Sequence, residues 1–335
     1  MDHEASLYIG GEWTAPTTDE VIDVVSPHSE QVIGRVPAAG PGDVDRAVAA
    51  ARAAVDDGPW PRLAAAERID AVRRLAASYG ERRREMASLI TAEMGAPISF
   101  SKLAQASLPG VIAGSFADVA EKHPWEEVRA GYYGQDVTVR KEAVGVVAAV
   151  IPWNMPQFTI AVKLAPALLA GCAVVLKPAP ETPLDSYLLA EMIKEAGIPD
   201  GVVNIVAAGR ETSEYLVSHP GVDKVAFTGS TAAGRRIAAI CGEQLKRCTL
   251  ELGGKSAAII LDDCDLPSAM GFLSIASLMN NGQACVAQTR ILASRNRYDE
   301  VVEAVSVEYP EPVSSLATTV FFVASQRSTS ISTWK

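Results

Sequence analysis

The feature that most constrains the fold is a series of short apolar runs separated by segments with helical periodicity. Each run is apolar along nearly its whole length, which is typical of a strand buried on both faces. Such strands, alternating with helices, predict an α/β fold with a doubly wound, mostly parallel sheet. The runs are residues 144–151, 173–176, 202–206, 224–227, 248–252 and 257–261, and the helical segments between them are 156–169, 183–196, 211–218 and 230–241.

The chain before these runs has a different pattern. Its first forty residues predict short strands and turns, at 7–9, 21–25 and 32–36. Apolar residues then recur at helical spacing, which predicts amphipathic helices at 43–55, 64–94 and 99–121. Residues 134–141 alternate polar and apolar side chains and predict a half-exposed strand, such as an arm. We therefore expect N-terminal helices packed on the sheet.

Charge and hydropathy exclude several classes of partner. The 335 residues carry a net charge of −10, and a polyanion would be repelled by such a surface. No uninterrupted apolar run reaches the roughly 20 residues that cross a bilayer. The amino terminus has neither the basic nor the apolar region of a secretory signal. We expect a cytoplasmic protein without a nucleic-acid or membrane partner.

Among five cysteines, Cys285 is the least core-like. No pair has CxxC spacing and the chain has four histidines, so no metal site is expected. Most of the thiols should be small buried hydrophobes. Cys172 and Cys248 adjoin or lie in apolar runs, Cys241 ends a helical segment, and Cys264 lies in an acidic loop that opposes thiolate formation. Cys285 instead occupies a polar, glycine-containing turn, residues 281–290, after a helical segment at 266–280, and a thiol there can act as a nucleophile.

Polar residues follow three of the apolar runs, where ligands bind in folds of this kind. Asn154, in the stretch IPWNMP, is either a helix cap or an amide donor for an oxyanion. Lys177 is either a solvated surface lysine or a contact to ribose hydroxyls or phosphate. Gly229 and Ser230 open a helix, which indicates either an ordinary turn or a phosphate site.

Glu251 stands in an otherwise apolar run, in the stretch LELGGKS. Burial of a charged carboxylate is costly, so this side chain should lie at the strand end or have a raised pKa. Either state suits a general base that works near neutral pH.

Taken together and in this order, the five motifs resemble the aldehyde dehydrogenase superfamily, over about residues 7–305. The resemblance implies a Rossmann-like NAD(P)-binding domain at 1–255, with part of an oligomerisation arm at about 124–142. It implies that residues 256–305 begin an α/β catalytic domain, and it leaves 306–335 as a divergent tail.

The resemblance also implies roles for individual residues. Cys285 matches the nucleophile, Glu251 the general base, and Asn154 the oxyanion-hole amide, which acts with the main-chain N–H of Cys285. Lys163 matches a lysine of a proton relay with the glutamate. The positions that match cofactor contacts are Ile151, Pro152, Trp153, Lys177, Gly209, Phe227, Thr228, Gly229, Ser230, Gly234, Leu252 and Gly253.

The implied reaction oxidises a small-molecule aldehyde to a carboxylic acid with NAD, or with NADP. The Cys285 thiolate forms a thiohemiacetal that loses hydride to become a thioester, and water activated by Glu251 releases the acid. Family members are homo-oligomers, and the resemblance leaves the assembly of this chain open. The sequence does not name the aldehyde, although Met155 and Val162, where relatives often carry aromatic residues, indicate a roomier funnel.

Two departures from the family pattern are visible. NAD-preferring relatives often read Lys-Pro-x-Glu, whereas here Pro180 takes the place of the glutamate and Glu181 follows it. NAD is still the expected cofactor, with NADP use open. The chain is also shorter than family members, and we interpret it as a truncated or frameshifted product.

Two other functions stay open at this point. The chain can be a non-catalytic remnant that binds a dinucleotide or another protein. Less favoured is a cysteine hydrolase that pairs Cys285 with a histidine, of which His219 is the nearest in sequence.

Overall fold

The computed structural model describes His3, residues 5–308 and the backbone of 321–322. Most of the segment 306–335, assigned above to a divergent tail, lies outside the described residues. The chain divides into two compact units, Met1–Glu251 and Leu252–Lys335.

Most strands of the first unit form a seven-stranded sheet in the order β11-β10-β7-β8-β9-β1-β2. The strands are β1 Leu7–Ile9, β2 Glu12–Thr14, β3 Val21–Val25, β4 Val32–Pro37, β5 Glu126–Ala130, β6 Asp136–Arg140, β7 Val146–Val150, β8 Ala173–Lys177, β9 Val203–Ile205, β10 Lys224–Gly229 and β11 Arg247–Leu252. Strands β7, β8, β9 and β10 pair in parallel, and this sheet confirms the α/β fold class.

The strand order changes direction beside β7. From β7 the chain proceeds outward to β8 and β9, and then returns to place β10 on the other side of β7. A change of this kind opens a crevice at the carboxyl ends of the two central strands, where open α/β sheets bind their ligands. The crevice expected here is therefore between the ends of β7 and β10.

Helices cover both faces of this sheet. They are α1 Pro41–Asp56, α2 Ala65–Glu81, α3 Arg83–Met94, α4 Ile98–Phe100, α5 Leu108–Lys122, α6 Pro156–Leu169, α7 Leu184–Glu195, α8 Arg210–Ser218 and α9 Thr231–Glu243. Helix α1 packs on β7, β8 and β9 and against α8, whereas α6 packs with α2, α5 and α7. Every residue of β7 and of β8 is buried, as their apolar runs predict, and in β8 this includes Lys177, which follows the run.

Two predicted helices are interrupted. The segment 64–94 is two helices that meet at Arg82, and Gly95, with φ of +80°, ends the second. The segment 99–121 begins with α4 and a π-helical turn, Ser101–Gln105, before α5 starts beside Pro109. Glycine accepts the left-handed conformation that ends a helix, and proline, without an N–H, fits the first turn of the next one.

The N-terminal strands make pairings that the sequence does not predict. Strand β1 pairs antiparallel with β9 through Tyr8 and Ile205 and so extends the main sheet, while β3 and β4 form a separate hairpin. Strands β5 and β6 form an exposed two-stranded ribbon, so the strand predicted at 134–141 has a partner.

The expectation of strands buried on both faces is wrong for two runs, 248–252 and 257–261, and in the second Ile259 and Leu261 are 67 % and 62 % exposed. An apolar run at 248–252 was expected to be buried on both faces, but most of β11, including Cys248, is exposed. Because β11 is the last strand in the order, it has a sheet neighbour on one side only.

The expectation that most cysteines are buried is also wrong. Cys172 and Cys241 are buried, whereas Cys248 and Cys285 are exposed and Cys264 is half-buried.

The second unit contains a β-α-β arrangement. Strands β12, Ala257–Ile260, and β13, Arg290–Ala293, pair in parallel, and helix α10, Leu266–Leu278, connects them. Helix α11, Tyr298–Glu308, packs on α10, and the backbone of β14, Phe321–Phe322, pairs with β13. The core of the second unit consists of Ala258, Ile260, Leu266, Met270, Leu273, Ile291, Val301 and Val305.

Candidate functional site

The turn from β7 to α6 carries Asn154, and its backbone is tied to three other parts of the first unit. The N–H of Ile151 donates to the carbonyl of Lys177 at 3.0 Å. The carbonyl of Trp153 accepts from the Thr182 hydroxyl at 3.3 Å. The carbonyl of Asn154 accepts from the side-chain amide of Gln105 at 3.0 Å. These bonds hold the turn in one conformation, with Asn154 half-buried.

Trp153 and Pro152 form the outer side of the same turn. Trp153 is 40 % exposed and Pro152 is half-buried, so both present surface just after the end of β7. Ile151 is buried and continues the core of the strand.

Lys163 on α6 and Glu251 on β11 interact electrostatically. Burial lowers the pKa of Lys163, the negative charge of Glu251 raises it, and the positive charge of Lys224 lowers it further. Lys163 is 8 % exposed, whereas Glu251 is exposed as the next-to-last residue of its strand. Of the two states expected for Glu251, the structure has the carboxylate at the strand end, in contact with solvent.

Lys177 ends β8 with its side chain buried. Only 6 % of the residue is exposed, and burial lowers the pKa of its amine to about 8, against the opposing effect of Glu181. Within the described part of the chain, the amine takes part in no hydrogen bond or ion pair. Loss of hydration around a charged amine in so buried a side chain is unfavourable for folding.

The turn from β10 to α9 has the geometry of an anion site. Ser230 is the N-cap of α9, and its hydroxyl accepts from the N–H of Ala233 at 3.2 Å. The first turn of the helix directs its N–H groups to this end. A Cβ on Gly229 would lie 2.4 Å from the ring of Phe227, so only glycine fits without a shift of that ring.

The remaining cofactor positions lie at the ends of other elements. Thr228 is buried within β10 and Gly234 is buried in α9. Gly209 is the exposed N-cap of α8. Leu252 ends β11 and Gly253 follows it.

Cys285 belongs to the second unit, in a turn between α10 and β13. Three consecutive residues before it, Asn280, Asn281 and Gly282, have φ of 56°, 58° and 72°. Asparagine and glycine accept this left-handed conformation at the least cost, which explains their presence in the turn. The side chain of Cys285 is exposed, and no described residue accepts a hydrogen bond from its main-chain N–H.

The turn is anchored on both sides of the cysteine. The N–H of Gln288 donates to the carbonyl of Ala276, and the hydroxyl of Ser277 donates to the carbonyl of Gln288, both at 3.0 Å. The N–H of Ala287 donates to the carbonyl of Ala284, also at 3.0 Å. An exposed thiol in an anchored turn is suited to nucleophilic chemistry.

The first unit brings most of the predicted residues to one edge of its sheet. Val150 is in register with Phe227 on one side and with Lys177 on the other, so the polar groups after these residues lie at the carboxyl ends of adjacent strands. Cys285, Leu252 and Gly253 are in the second unit.

Sequence reasoning missed Gln105 and Thr182, which hold the Asn154 turn. Gln105 is 49 residues from Asn154 and Thr182 is 29 residues from Trp153. No local pattern marks either residue, because the contact is formed only when the helices pack on the sheet.

The histidine of the hydrolase alternative is engaged elsewhere in the first unit. The Nδ1 of His219 accepts from the N–H of Gly221 at 3.0 Å, and its Nε2 lies 3.2 Å from a carboxylate oxygen of Asp45. These contacts give no support to a role as a general base for Cys285.

Comparison with known proteins gives the same family throughout. The model of the aldehyde dehydrogenase family matches residues 13–312. Geranial dehydrogenase of Castellaniella defragrans is 45 % identical over 306 residues, which are 91 % of this chain and 64 % of that protein. This chain thus spans slightly less than two thirds of the length of this curated relative.

Similar solved structures belong to the same family. An aldehyde dehydrogenase of Mycobacterium tuberculosis in complex with NAD+ has a TM-score of 0.89 and 47 % identity, over 91 % of this chain and 63 % of that one. An aldehyde dehydrogenase variant of Pseudomonas syringae, in complex with NAD+ and octanal, has a TM-score of 0.85 and 36 % identity, over 92 % and 62 %. Among the described residues, none of the helices has the length and apolar character that a membrane crossing requires. From its sheet, the residues at its strand ends and these matches, this chain belongs to the aldehyde dehydrogenase family.

Proposed function

We propose that this chain takes part in the NAD-dependent oxidation of an aldehyde to a carboxylic acid, with Cys285 as the nucleophile. The observation that carries the proposal is the set of polar groups at or just after the carboxyl ends of the adjacent strands β7, β8 and β10. In the same unit the buried Lys163 interacts electrostatically with Glu251. The relatives named above support it, since two of them were solved with NAD+ and one of these also with an aldehyde.

The residues of the first unit fit a dinucleotide. The N-terminal turn of α9, capped by Ser230, suits the pyrophosphate, and the tight fit at Gly229 keeps side-chain bulk away from it. The amine of Lys177, at the end of β8 on a residue that is 6 % exposed, suits ribose hydroxyls. Trp153 and Pro152 would flank the same ligand. NAD, when bound, supplies the hydride acceptor of the reaction.

The proposed chemistry begins at Cys285. Its thiolate forms a bond to the carbonyl carbon of the aldehyde, and the carbonyl oxygen becomes an oxyanion. The side-chain amide of Asn154 and the main-chain N–H of Cys285 donate hydrogen bonds to that oxyanion, which lowers the barrier to its formation. After oxidation of this adduct, the sulfur holds the acyl group as a thioester.

Glu251 then acts on water. Its carboxylate removes a proton from a water molecule as that water attacks the thioester carbon, and the C–S bond breaks to release the acid and restore the thiolate. Lys163 stabilises the charge of Glu251 and can pass the proton on. Exposure of Glu251 at a strand end gives water access to it.

The proposal favours NAD over NADP. Glu181 is exposed, and its negative charge raises the pKa of the Lys177 amine. The charge of Glu181 therefore acts at the position of that amine. A carboxylate there would repel a 2′-phosphate. Pro180, which is half-buried, stands at the position of the family's glutamate, and Glu181 takes over the role of that glutamate.

A mass measurement of the purified chain tests the chemistry directly. Protein mixed with octanal and NAD should gain the mass of the acyl group, and peptide mapping should find it on Cys285. The variant Cys285→Ala should gain nothing, and Cys264→Ala, which removes a half-buried thiol of the same unit, should react as the wild type does. An acyl group on another cysteine, or none together with no NADH production, would overturn the proposal.

A second function has one observation in its favour. The first unit by itself holds most of the predicted dinucleotide contacts, including Lys177 and Ser230. A chain that binds NAD, measured by titration calorimetry, but forms neither NADH nor an acyl adduct would be a binding module. In that case the ribbon of β5 and β6, with Tyr132 and Tyr133 at 95 % and 86 % exposure, is the candidate surface for a protein partner.

A further inference from the structure

We propose that Gln105 is a positioning residue for the oxyanion-hole amide of Asn154. The inference rests on the function proposed above for Asn154, but the contact that carries it belongs to the fold. Nothing in the sequence motifs or the comparisons assigns a role to this glutamine.

Gln105 reaches the Asn154 turn from a separate layer of the molecule. Its Nε2 donates to the carbonyl of Asn154 at 3.0 Å, and the same nitrogen lies 3.6 Å from the sulfur of Met94. The carbonyl oxygen and the sulfur both accept hydrogen bonds, so both suit the amide nitrogen of Gln105. With the amide turned over, its oxygen would face these two acceptors instead. The residue is completely buried.

The backbone that presents Gln105 is unusual. Ser101–Gln105 is a π-helical turn, closed by a 2.9 Å bond from the N–H of Ala106 to the carbonyl of Ser101. Such turns contain one more residue than an α-helical turn and are frequent at functional sites. The turn buries Ser101 and Gln105 and leaves Leu103, on the opposite side, 75 % exposed.

The glutamine has both a gain and a loss for folding. Its Oε1 is buried and accepts no hydrogen bond from any described residue, which is unfavourable for folding. An apolar side chain of the same size would avoid that loss but would leave the carbonyl of Asn154 without this donor. The amide therefore has a use that an apolar residue does not provide, and the contact to Asn154 supplies it.

The place of the Gln105 contact in the turn explains how this residue can position the amide of Asn154. The carbonyl that Gln105 holds is on the same residue as the proposed oxyanion donor, and the neighbouring carbonyl of Trp153 is held by Thr182. With its backbone fixed on both sides, Asn154 presents its side-chain amide from one main-chain conformation before the substrate arrives. A donor fixed in advance stabilises developing charge without reorganisation during the reaction.

The test compares Gln105→Leu with Ser101→Ala in the full chain. Both variants remove a buried polar group from the same π-helical turn, but Ser101 bonds to Thr91, at 2.8 Å, and not to the Asn154 turn. Hydrogen exchange followed by mass spectrometry should show faster exchange in the peptide that contains residues 151–158 for Gln105→Leu only. Kinetics should show kcat lower by about tenfold, as expected for a slightly misplaced catalytic group, with the KM for NAD within about twofold of wild type. Ser101→Ala should change neither.

Each outcome decides the inference. Unchanged exchange in the 151–158 peptide, or faster exchange spread over the whole first unit, would overturn it, the second result because it shows a structural role only. Faster exchange confined to that peptide supports the positioning of Asn154 even if the wild-type chain forms no NADH. That last combination would refute the proposed oxidation and leave the inference about Gln105 standing, so the two can fail separately.

Discussion

Replacement of Lys177 by methionine should stabilise the fold while weakening the binding of NAD. The lysine is 6 % exposed, and its pKa is lowered from 10.5 to about 8, mainly by burial. At about 1.4 kcal/mol per pH unit, this shift corresponds to about 3 kcal/mol of unfavourable free energy for the charged amine in the folded state. Methionine has a similar length and no charge, so Lys177→Met should raise the free energy of unfolding by about 2–3 kcal/mol at pH 7.

The pH dependence gives a sharper form of the same prediction. Because the pKa of Lys177 is lower in the folded state, the unfolded chain binds more protons between about pH 8 and 10.5. The contribution of Lys177 therefore makes the wild type more stable as the pH rises through that window. The advantage of the variant should be largest at or below about pH 7 and should approach zero near pH 10.5.

Urea denaturation followed by tryptophan fluorescence measures these differences. Four of the five tryptophans, Trp13, Trp60, Trp125 and Trp153, lie in the first unit, so the signal reports mainly on its unfolding. Lys122→Met, at an exposed position that ends α5, is the matched control and should change stability little at any pH. Saturating NAD should raise the midpoint of the wild type more than that of Lys177→Met. A variant no more stable than wild type at pH 7, or an advantage independent of pH, would refute the reasoning.

Three further predictions address the other groups. Glu251→Gln should slow release of the acid by about 10²–10⁴-fold, so that the acyl group accumulates on Cys285 in a mass spectrum; loss of acylation itself would contradict its role as a base for water. Glu181→Ala should raise the ratio of kcat/KM for NADP to that for NAD several-fold, and an unchanged ratio in steady-state assays would show that this carboxylate does not select the cofactor. Gly229→Ala places a Cβ 2.4 Å from the Phe227 ring and should destabilise the first unit by about 1–3 kcal/mol in urea denaturation, with weaker NAD binding by titration; a variant of wild-type stability would show that the ring moves freely.

Local patterns were sufficient for the inner strands β7 and β8 and for the positions of their ends. The apolar runs of β7 and β8 are buried throughout, and Asn154 and Lys177 lie where those strands end, as expected. Both strands are covered by helices on either side of the sheet, whereas the equally apolar run 257–261 leaves Ile259 and Leu261 67 % and 62 % exposed. The family motifs depend on short spacings and could also be read without a structure.

Long-range packing decided the rest. The apolar content of 248–252 predicted a buried strand, but burial depends on neighbours, and β11 is the last strand in the sheet, so Cys248 is exposed. The pairing of Tyr8 with Ile205 joins segments that no local pattern relates.

The sequence by itself therefore determined the fold class, the family and the positions of the candidate groups along the chain, because each depends on periodicity or on a short motif. Only the tertiary structure decided the strand order that opens a crevice beside β7, the burial of Lys177, and the contact between Gln105 and Asn154. The physical reason is that burial and hydrogen bonding between distant segments depend on which elements become neighbours, and that is set by packing over the whole unit.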